Sequence, residues 1–389
     1  MNRRELLQTA AGMLAASGSA TFAADAPAPA PQAKLKIDAY SRHLQWLRSA
    51  EEVAQACIEM AFDGVDITVR KYPGHVDPEK VKTDLPAFVN TIRSLGLIVD
   101  TITTNISDAD SPDAEAILDA ASSLGIHHYW WGTYRYDLTK PIQPQIEALK
   151  PRVARLSKLN EKYGMKAMYH NYSGGRTVGD SIFDFLQVLQ NFDPRWVSFH
   201  YDTGHATEGG ANGTWSLGMR AAGPYIGGMS FKDSLLKLDR NFPEGGPFTG
   251  TPAQLAVARR PPSGPGGGPP PDFNGLPPGT VPPPPPRAPA GLPGPGGRRA
   301  PMGAGGGGQT NPWRVEQVPL GSGLVDLPQV AQIMKEINFQ GPVEVQAEYP
   351  NGGAGNGLDK ITLPREQVLG AMKHDLLVLR AVLGPAGLI

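Results

Sequence analysis

The sequence predicts an α/β protein built as a (β/α)8 TIM barrel, and three observations lead to this fold class. Eight short apolar runs recur along the chain, and an amphipathic helical segment with a glycine or proline stop separates each run from the next. Strands that alternate with helices are parallel and joined by right-handed crossovers, and eight such units close a barrel. No Gly-x-Gly-x-x-Gly follows the first run, which disfavours an open nucleotide-binding sheet. The runs are residues 36–40, 64–69, 97–102, 126–130, 166–169, 197–201, 226–231 and 343–347.

The helical segments between the runs carry recognisable start and stop signals. Ser49 and Glu52 have the spacing of a capping box, in which each side chain accepts a backbone N–H. At Asp77-Pro78 and Ser111-Pro112 a capping residue precedes a proline, which suits the first helical position. Left-handed residues are expected just past three helix ends, at Gly96, Gly125 and Gly164.

The first 33 residues are interpreted as an export signal and a Pro/Ala spacer. Arg3 and Arg4 precede a weakly apolar, alanine-rich stretch over residues 9–24, which is the pattern of a twin-arginine signal. This stretch is too short to span a membrane. We therefore predict a periplasmic or secreted protein without a stable membrane span, whose barrel domain covers residues 34–389.

A second stretch interrupts the regular order of runs and helices. Residues 247–312 are dominated by proline and glycine, so they cannot bury enough apolar area to offset the entropy of ordering. The segment lies before the eighth βα unit, and we interpret it as a disordered insertion on a loop. A polyproline recognition segment is the alternative.

Composition excludes some classes of partner. The chain has 36 basic and 37 acidic residues and a net charge of −1, which argues against nucleic-acid binding. Its single cysteine, Cys57, allows neither an internal disulfide nor a multi-cysteine zinc site.

Polar residues at the ends of the later runs predict the functional site, because active sites of barrels lie at the C-terminal ends of the strands. The sixth run ends with His200, Asp202 and His205, of which the first two share a face. An imidazole and a carboxylate at one strand end could ligate a divalent ion. A capping aspartate beside a surface histidine is the alternative.

The three neighbouring runs add further candidates. His170 ends the fifth run on its inward face, and Asn171 follows it. Lys232 follows the seventh run, where a lysine entering the barrel needs a carboxylate or a substrate oxygen as partner. In the eighth run Glu344, Gln346 and Glu348 share a face, and Glu348 is furthest toward the C-terminal end.

Four more residues are candidates for substrate binding in the first, second and fourth units. His43 and Asp66 follow or end the first two strands, and His75 belongs to the second βα loop. Trp131, after Trp130, offers a face on which a sugar ring can stack, although core packing explains either tryptophan equally well.

These motifs resemble the xylose-isomerase-like barrel superfamily, which includes sugar-phosphate isomerases and epimerases, inosose dehydratase and endonuclease-IV-type enzymes. The resemblance rests on residues 196–205, 169–171, 231–233 and 64–66, and it covers residues 34–242 and 312–383. Relatives hold one divalent metal with a strand-five glutamate, a strand-six aspartate, a strand-seven histidine and a strand-eight glutamate. Asp202 and Glu348 match two of these positions, whereas His170 replaces the first glutamate and Ser230 replaces the strand-seven histidine.

The resemblance implies an isomerase or epimerase that removes a proton next to the carbonyl of a sugar or keto-sugar. The implied metal is Mn, Co, Zn or Mg, and the implied assembly is a homo-oligomer. A lyase or dehydratase that eliminates a β-substituent at the same site is the first alternative, and a non-catalytic carbohydrate-binding barrel is the second. The predicted catalytic residues are Lys232, Glu348 and His205, the metal ligands are His170, Asp202, His205 and Glu348, and the substrate-binding residues are His43, Asp66, His75, Trp131, His200 and Asn171.

Overall fold

The computed structural model describes residues 34–174, 176–210, 213–238 and 313–389. The predicted export signal and the predicted insertion over residues 247–312 lie outside these ranges. Ten strands occur in the described part of the chain. They are β1 (Ile37–Tyr40), β2 (Gly64–Thr68), β3 (Thr101–Thr103), β4 (His128–Trp131), β5 (Lys166–His170), β6 (Val197–Asp202), β7 (Ile226–Phe231), β8 (Asp233–Leu238), β9 (Trp313–Val318) and β10 (Val343–Val345).

Eight of these strands close a parallel barrel, which confirms the predicted fold class. Going around the barrel, the order is β1, β10, β7, β6, β5, β4, β3 and β2. All eight predicted runs supply a strand, and the largest difference is at β3, which begins at Thr101 rather than at residue 97. Because the strands are parallel, their C-terminal ends meet at one rim, and the residues that follow β5, β6, β7 and β10 come together there.

Helices cover the outside of the barrel and bury their apolar faces against it. The capping box predicted at Ser49 is present, since Ser49 Oγ accepts from Glu52 N (3.1 Å) and Glu52 Oε2 accepts from Ser49 N (3.0 Å). The helices of the described residues are α1 (Ala50–Met60), α2 (Val81–Ser94), α3 (Ala114–Ser123), α4 (Ile142–Tyr163), α5 (Ile182–Leu189), α6 (Thr203–Gly209), α7 (Thr214–Ala222), α8 (Leu327–Glu336) and α9 (Arg365–Leu383).

The helix start predicted at Ser111-Pro112 is wrong by two residues. The hydroxyl of Ser111 accepts from the backbone N–H groups of Ser107 (3.1 Å) and Asp108 (3.0 Å), so it closes the preceding turn instead of capping a helix. Helix α3 therefore begins at Ala114, after a left-handed Asp113.

Strands β8 and β9 form an antiparallel hairpin that the sequence did not predict. Asp233 pairs with Val318 at the base of the hairpin, and Leu238 pairs with Trp313 at its far end. Leu238 and Trp313, which flank residues 239–312 in the sequence, are therefore neighbours in the structure. The carboxylate of Asp233 accepts backbone N–H groups of Gly321, Gly323 and Val325 at 2.8–3.0 Å. These bonds attach the hairpin firmly to the rim of the barrel.

Within the described ranges, none of the helices is both long enough and apolar enough to cross a membrane.

Candidate active site

The side chain of Lys232 lies at the centre of the polar cluster on the C-terminal rim. Lys232 is 2 % exposed. Its ammonium donates to Glu348 Oε2 at 2.9 Å and to His205 Nε2 at 2.6 Å, and it lies 3.3 Å from Asp202 Oδ2. The loop after β7 thus brings one cation into contact with groups from β6, from α6 and from the segment after β10.

Asp202 ends β6 and is held from several sides. Its Oδ2 lies 3.1 Å from His170 Nε2 and 3.4 Å from Ser230 Oγ, while its Oδ1 accepts the backbone N–H of His205 at 2.7 Å and so caps α6. Asn171 bonds the backbone of Asp202 in both directions, accepting its N–H at 2.8 Å and donating to its carbonyl at 3.3 Å. The structure therefore gives Asn171, predicted to bind substrate, a role in positioning Asp202.

His205 is oriented by a second carboxylate. Its Nδ1 lies 3.1 Å from Glu208 Oε2 and 2.9 Å from Ser173 Oγ, and Ser173 also donates to Glu208. Gln317, on strand β9 of the hairpin, donates to Glu208 Oε1 at 2.8 Å. With Nδ1–H directed at Glu208, the Nε2 of a neutral His205 presents a lone pair to the Lys232 ammonium.

The mouth of the site lies at Glu348 and Arg42. Arg42 Nη1 donates to Glu348 Oε1 at 3.2 Å, and both side chains are 21 % exposed. His205 is also partly exposed, at 13 %, so these three side chains border the solvent around the buried ammonium.

The charges of the cluster determine its protonation state. Burial raises the pKa of the Asp202 carboxyl, but the nearby Lys232 ammonium and the hydrogen bond with His170 outweigh that effect and hold it well below its ordinary value. Burial likewise opposes ionisation of Glu348, yet Lys232 and Arg42 lower its pKa to about 2. For Lys232, burial lowers the pKa, and the carboxylates of Asp202 and Glu348 raise it above its ordinary range. At neutral pH the site holds an ammonium between two carboxylates.

The predicted metal ligands come together only in part. One ligand atom each from His170, Asp202 and His205 lies within 4.8 Å of the others, a group of nitrogen and oxygen donors that could hold a divalent ion. The fourth predicted ligand, Glu348, faces Lys232 and Arg42 instead. The donor types suit an ion, but the Lys232 ammonium lies 2.6 Å from His205 Nε2 and 3.3 Å from Asp202 Oδ2, so an ion bound between these two atoms would need the position of the ammonium.

Two predicted substrate-binding residues lie deeper in the barrel. Asp66 is buried, accepts from Thr103 Oγ1 at 2.7 Å and lies beside Glu344. His200 is also buried, with its Nε2 3.7 Å from Glu344 Oε1. Burial raises the pKa of Asp66 to about 6 and raises that of Glu344 well above its ordinary value. Asp66 and Glu344 therefore form an acidic layer inside the barrel, beneath the rim cluster. His200 lies beside this layer and not in the rim cluster.

The other three predicted substrate-binding residues have structural partners. His43 is buried, with Nδ1 3.1 Å from the carbonyl of Ala354, and burial lowers its pKa to about 4. His75 lies 2.9 Å from Thr68 Oγ1 and near two carbonyls of the first βα loop. Trp131 packs outside the barrel wall, where its Nε1 donates to Ser107 O at 3.2 Å.

Trp130, rather than Trp131, faces the interior. Its ring stacks on His170 at 4.2 Å between centroids and on Tyr40 at 5.0 Å. Successive residues of a strand face opposite sides, so only one of the two tryptophans can line the barrel.

Sequence reasoning missed Arg42, Ser173, Glu208 and Gln317 as members of the site. Glu208 stands three residues after His205 on α6, a spacing that places both on one helical face and could have identified it. Gln317 carried no such signal, because it reaches the site on a hairpin that the sequence did not predict.

A model of the xylose isomerase-like TIM barrel family matches residues 54–263, which is more than half of the chain. No curated protein sequence matches significantly. Similar solved structures include a D-psicose 3-epimerase with D-tagatose from Clostridium cellulolyticum H10, at 13% identity and a TM-score of 0.52, with 90% of this chain and 99% of that chain covered. A 3-keto-D-glucoside 4-epimerase from E. coli aligns at 12% identity and a TM-score of 0.51, covering 90% and 100% of the two chains. A xylose isomerase-like barrel protein from Mycobacterium smegmatis in complex with magnesium aligns at 15% identity and a TM-score of 0.53, covering 91% and 98%. At such identities these three likenesses concern the fold, whereas the family match covers the sequence itself, and the chain belongs to the xylose isomerase-like TIM barrel family.

Proposed function

We propose that this protein is an isomerase or epimerase that removes a proton from the carbon next to the carbonyl group of a small sugar or keto-sugar. The observation that carries the proposal is the Lys232 ammonium, which lies between an ionised carboxylate and an oriented imidazole at the rim of a closed barrel. An ammonium in a buried site is suited to stabilise the negative charge that develops on a carbonyl oxygen during proton removal.

In this proposal Lys232 acts as the electrophile and not as the base, because its neighbours keep it protonated. The carbonyl oxygen of the substrate takes over the hydrogen bond that the ammonium gives to His205 Nε2 in the free protein. His205 Nε2, released from that bond, accepts the proton of the adjacent carbon. The electron pair of that C–H bond forms the carbon–carbon double bond of an enediolate, whose oxygen remains bonded to Lys232. Transfer of the adjacent hydroxyl proton to the enediolate oxygen, with return of the proton from His205 to the former carbonyl carbon, gives an isomer. Delivery of a proton to the other face of the same carbon gives an epimer, and the proton taken up by His205 is then released to solvent.

Glu208 and Glu348 have different tasks in this scheme. Glu208 fixes the ring of His205 and stabilises the imidazolium that forms, as a carboxylate behind a general base does. Glu348, held by Arg42 and Lys232, closes the opposite side of the site and accepts hydroxyl groups of the substrate.

The carbohydrate substrate is supported by the chemistry of the rim and by the names of the neighbours. The rim offers both hydrogen-bond donors and acceptors, which suit a polyhydroxy compound, and two solved structures with the same fold are sugar epimerases. The metal-assisted form of the reaction, predicted from the sequence, is not part of this proposal, because the Lys232 ammonium supplies the positive charge. The lyase alternative shares the first proton transfer and differs in the fate of the enediolate.

The test is proton exchange. Candidate keto-sugars and 3-keto-glucosides are incubated with the protein in D2O, and NMR and mass spectrometry report deuterium at the carbon next to the carbonyl. We expect exchange with the wild type and its loss in His205→Asn, while His127→Asn, a change at an exposed histidine outside the site, keeps wild-type exchange. Expulsion of a β-substituent would identify a lyase, and sugar binding without exchange would identify a binding protein.

We also propose that the chain is exported through the twin-arginine pathway, on the basis of Arg3, Arg4 and the alanine-rich stretch behind them. Cell fractionation of the tagged full chain tests this. The wild type should appear outside the cytoplasm and the double variant R3K/R4K should stay inside, whereas equal distributions would reject the proposal.

A further inference from the structure

We propose that the ammonium of Lys232 is the resident cation of this site and that it excludes a divalent metal ion from the atoms of Asp202, His205 and Glu348. The proposal holds whichever reaction the site catalyses, so it can fail or succeed independently of the proposed function.

The first argument is shared space. Lys232 Nζ lies 2.6 Å from His205 Nε2, 2.9 Å from Glu348 Oε2 and 3.3 Å from Asp202 Oδ2. A transition-metal ion binds such nitrogen and oxygen atoms at about 2.0–2.2 Å. An ion on these three atoms and the lysine nitrogen between them would need the same position.

The second argument is that the carboxylates are already satisfied from within the protein. Arg42 and Lys232 donate to the two oxygens of Glu348. Asp202 Oδ1 accepts the backbone N–H of His205, and its Oδ2 contacts both Lys232 and His170. Carboxylates that await a cation are expected to leave buried oxygens without partners, and neither of these two does.

The third argument concerns the imidazoles. His170 Nε2 lies 3.1 Å from a carboxylate oxygen of Asp202, so it carries the hydrogen of that bond and offers no lone pair to a metal there. His205 Nε2 faces the Lys232 ammonium at 2.6 Å, so an ion bound to this nitrogen would need the position of the ammonium.

The surrounding chain is built to hold the lysine in this position. Thr203 Oγ1 lies 3.0 Å from the carbonyl oxygen and 3.3 Å from the backbone nitrogen of Lys232. A Cβ atom at Gly204 would lie 2.6 Å from Lys232 Cγ, so only glycine leaves room for the lysine stem against α6. These contacts hold the Lys232 ammonium between the side chains of Asp202, His205 and Glu348.

The test compares metal binding by the wild-type full chain, Lys232→Met and Lys232→Arg. Each protein is stripped with a chelator and titrated with Co²⁺ and Zn²⁺ by calorimetry, and visible absorption reports the coordination of Co²⁺. We expect Lys232→Met to bind one ion per chain about 100-fold or more tightly than the wild type, because a like charge next to the ion is removed. Lys232→Arg keeps the positive charge and should bind no more tightly than the wild type.

Two outcomes would overturn the proposal. One is a wild-type protein that binds one ion per chain with micromolar or tighter affinity and gives a Co²⁺ spectrum with protein ligands. The other is a folded Lys232→Met variant that binds ions no better than the wild type. Circular dichroism establishes whether the variant folds, and the wild-type titration decides the question if it does not. Neither readout uses a substrate, so a failure of the isomerase proposal leaves this test intact.

Discussion

Replacing Asp66 by asparagine should stabilise the protein at neutral pH. Asp66 is fully buried in the acidic layer beneath the rim, where Thr103 donates to its Oδ2 and its Oδ1 has no partner. It faces Glu344, whose Oε2 is also unpartnered, and the two carboxyls can bond only when one of them carries a proton. An asparagine amide has the same shape and supplies a donor toward Glu344 at any pH.

The magnitude follows from the pKa of Asp66, which burial raises from 3.8 to about 6. Below pH 4 the carboxyl is protonated in both the folded and the unfolded chain, so it has no effect on stability. Between pH 4 and pH 6 the unfolded chain loses the proton and the folded chain retains it. Stability is therefore lost as the pH rises, by about 3 kcal/mol in total above pH 6. Asp66→Asn removes this loss.

Urea unfolding of wild type and variant at pH 4 and pH 7.5 measures the effect. The gap, which is the unfolding free energy of Asp66→Asn minus that of the wild type, should be about 2 kcal/mol larger at pH 7.5 than at pH 4. Asp119→Asn, the same exchange at an exposed position on α3, serves as the control for any general effect of replacing an aspartate. A gap for Asp66→Asn that stays constant between the two pH values would refute the reasoning.

Three further predictions concern the rim. Glu208→Gln keeps the size of the side chain but removes the charge behind His205, so kcat for proton exchange should fall about 100-fold with little change in KM; an unchanged kcat would show that Glu208 does not orient the base. Trp130→Ala removes a buried ring that stacks on an imidazole of the site, and urea unfolding should show a loss of about 3–5 kcal/mol; a loss below 1 kcal/mol would contradict the packing role. Asn171→Ala leaves the buried N–H and C=O of Asp202 without their side-chain partner, at a cost of about 1–3 kcal/mol in unfolding free energy, and an unaltered stability would mean that other groups satisfy them.

The barrel and the centre of the site could be predicted from the sequence because both depend on the alternation of inward-facing and outward-facing residues along each strand. Eight apolar runs define the strands, and an alternating pattern fixes which side chains point inward. His170, Asp202 and Lys232 all lie on inward positions at or just after strand ends, so the closed barrel brings them together. The same alternation separates Trp130, whose ring stacks on His170 inside the barrel, from Trp131, whose ring packs outside the barrel wall.

The contacts that orient these groups could not be predicted, because they depend on loops whose conformation has no periodic signal. Gln317 reaches Glu208 only because β8 and β9 pair across residues 239–312. Arg42 reaches Glu348 across the closure of the barrel, 306 positions along the chain. Whether Lys232 would meet a substrate oxygen or the predicted metal ligands was likewise a question of side-chain position, which spacing alone does not fix.

The barrel holds two pairs of carboxyl groups whose pKa values are shifted in opposite directions, and the location of one cation accounts for the difference. Asp202 and Glu348 contact Lys232, and that contact outweighs the cost of burying their charge. Among the described residues, no ammonium or guanidinium lies within hydrogen-bonding distance of Asp66 or Glu344, deeper in the barrel, and burial raises the pKa of both carboxyls. The Lys232 ammonium, just beyond the end of β7, therefore keeps the rim carboxylates ionised, whereas burial without such a partner favours the protonated form of the deeper pair. When the pH falls below about 6, Asp66 takes up a proton while Asp202 and Glu348 stay ionised, so the negative charge that persists at lower pH lies on the groups that Lys232 touches.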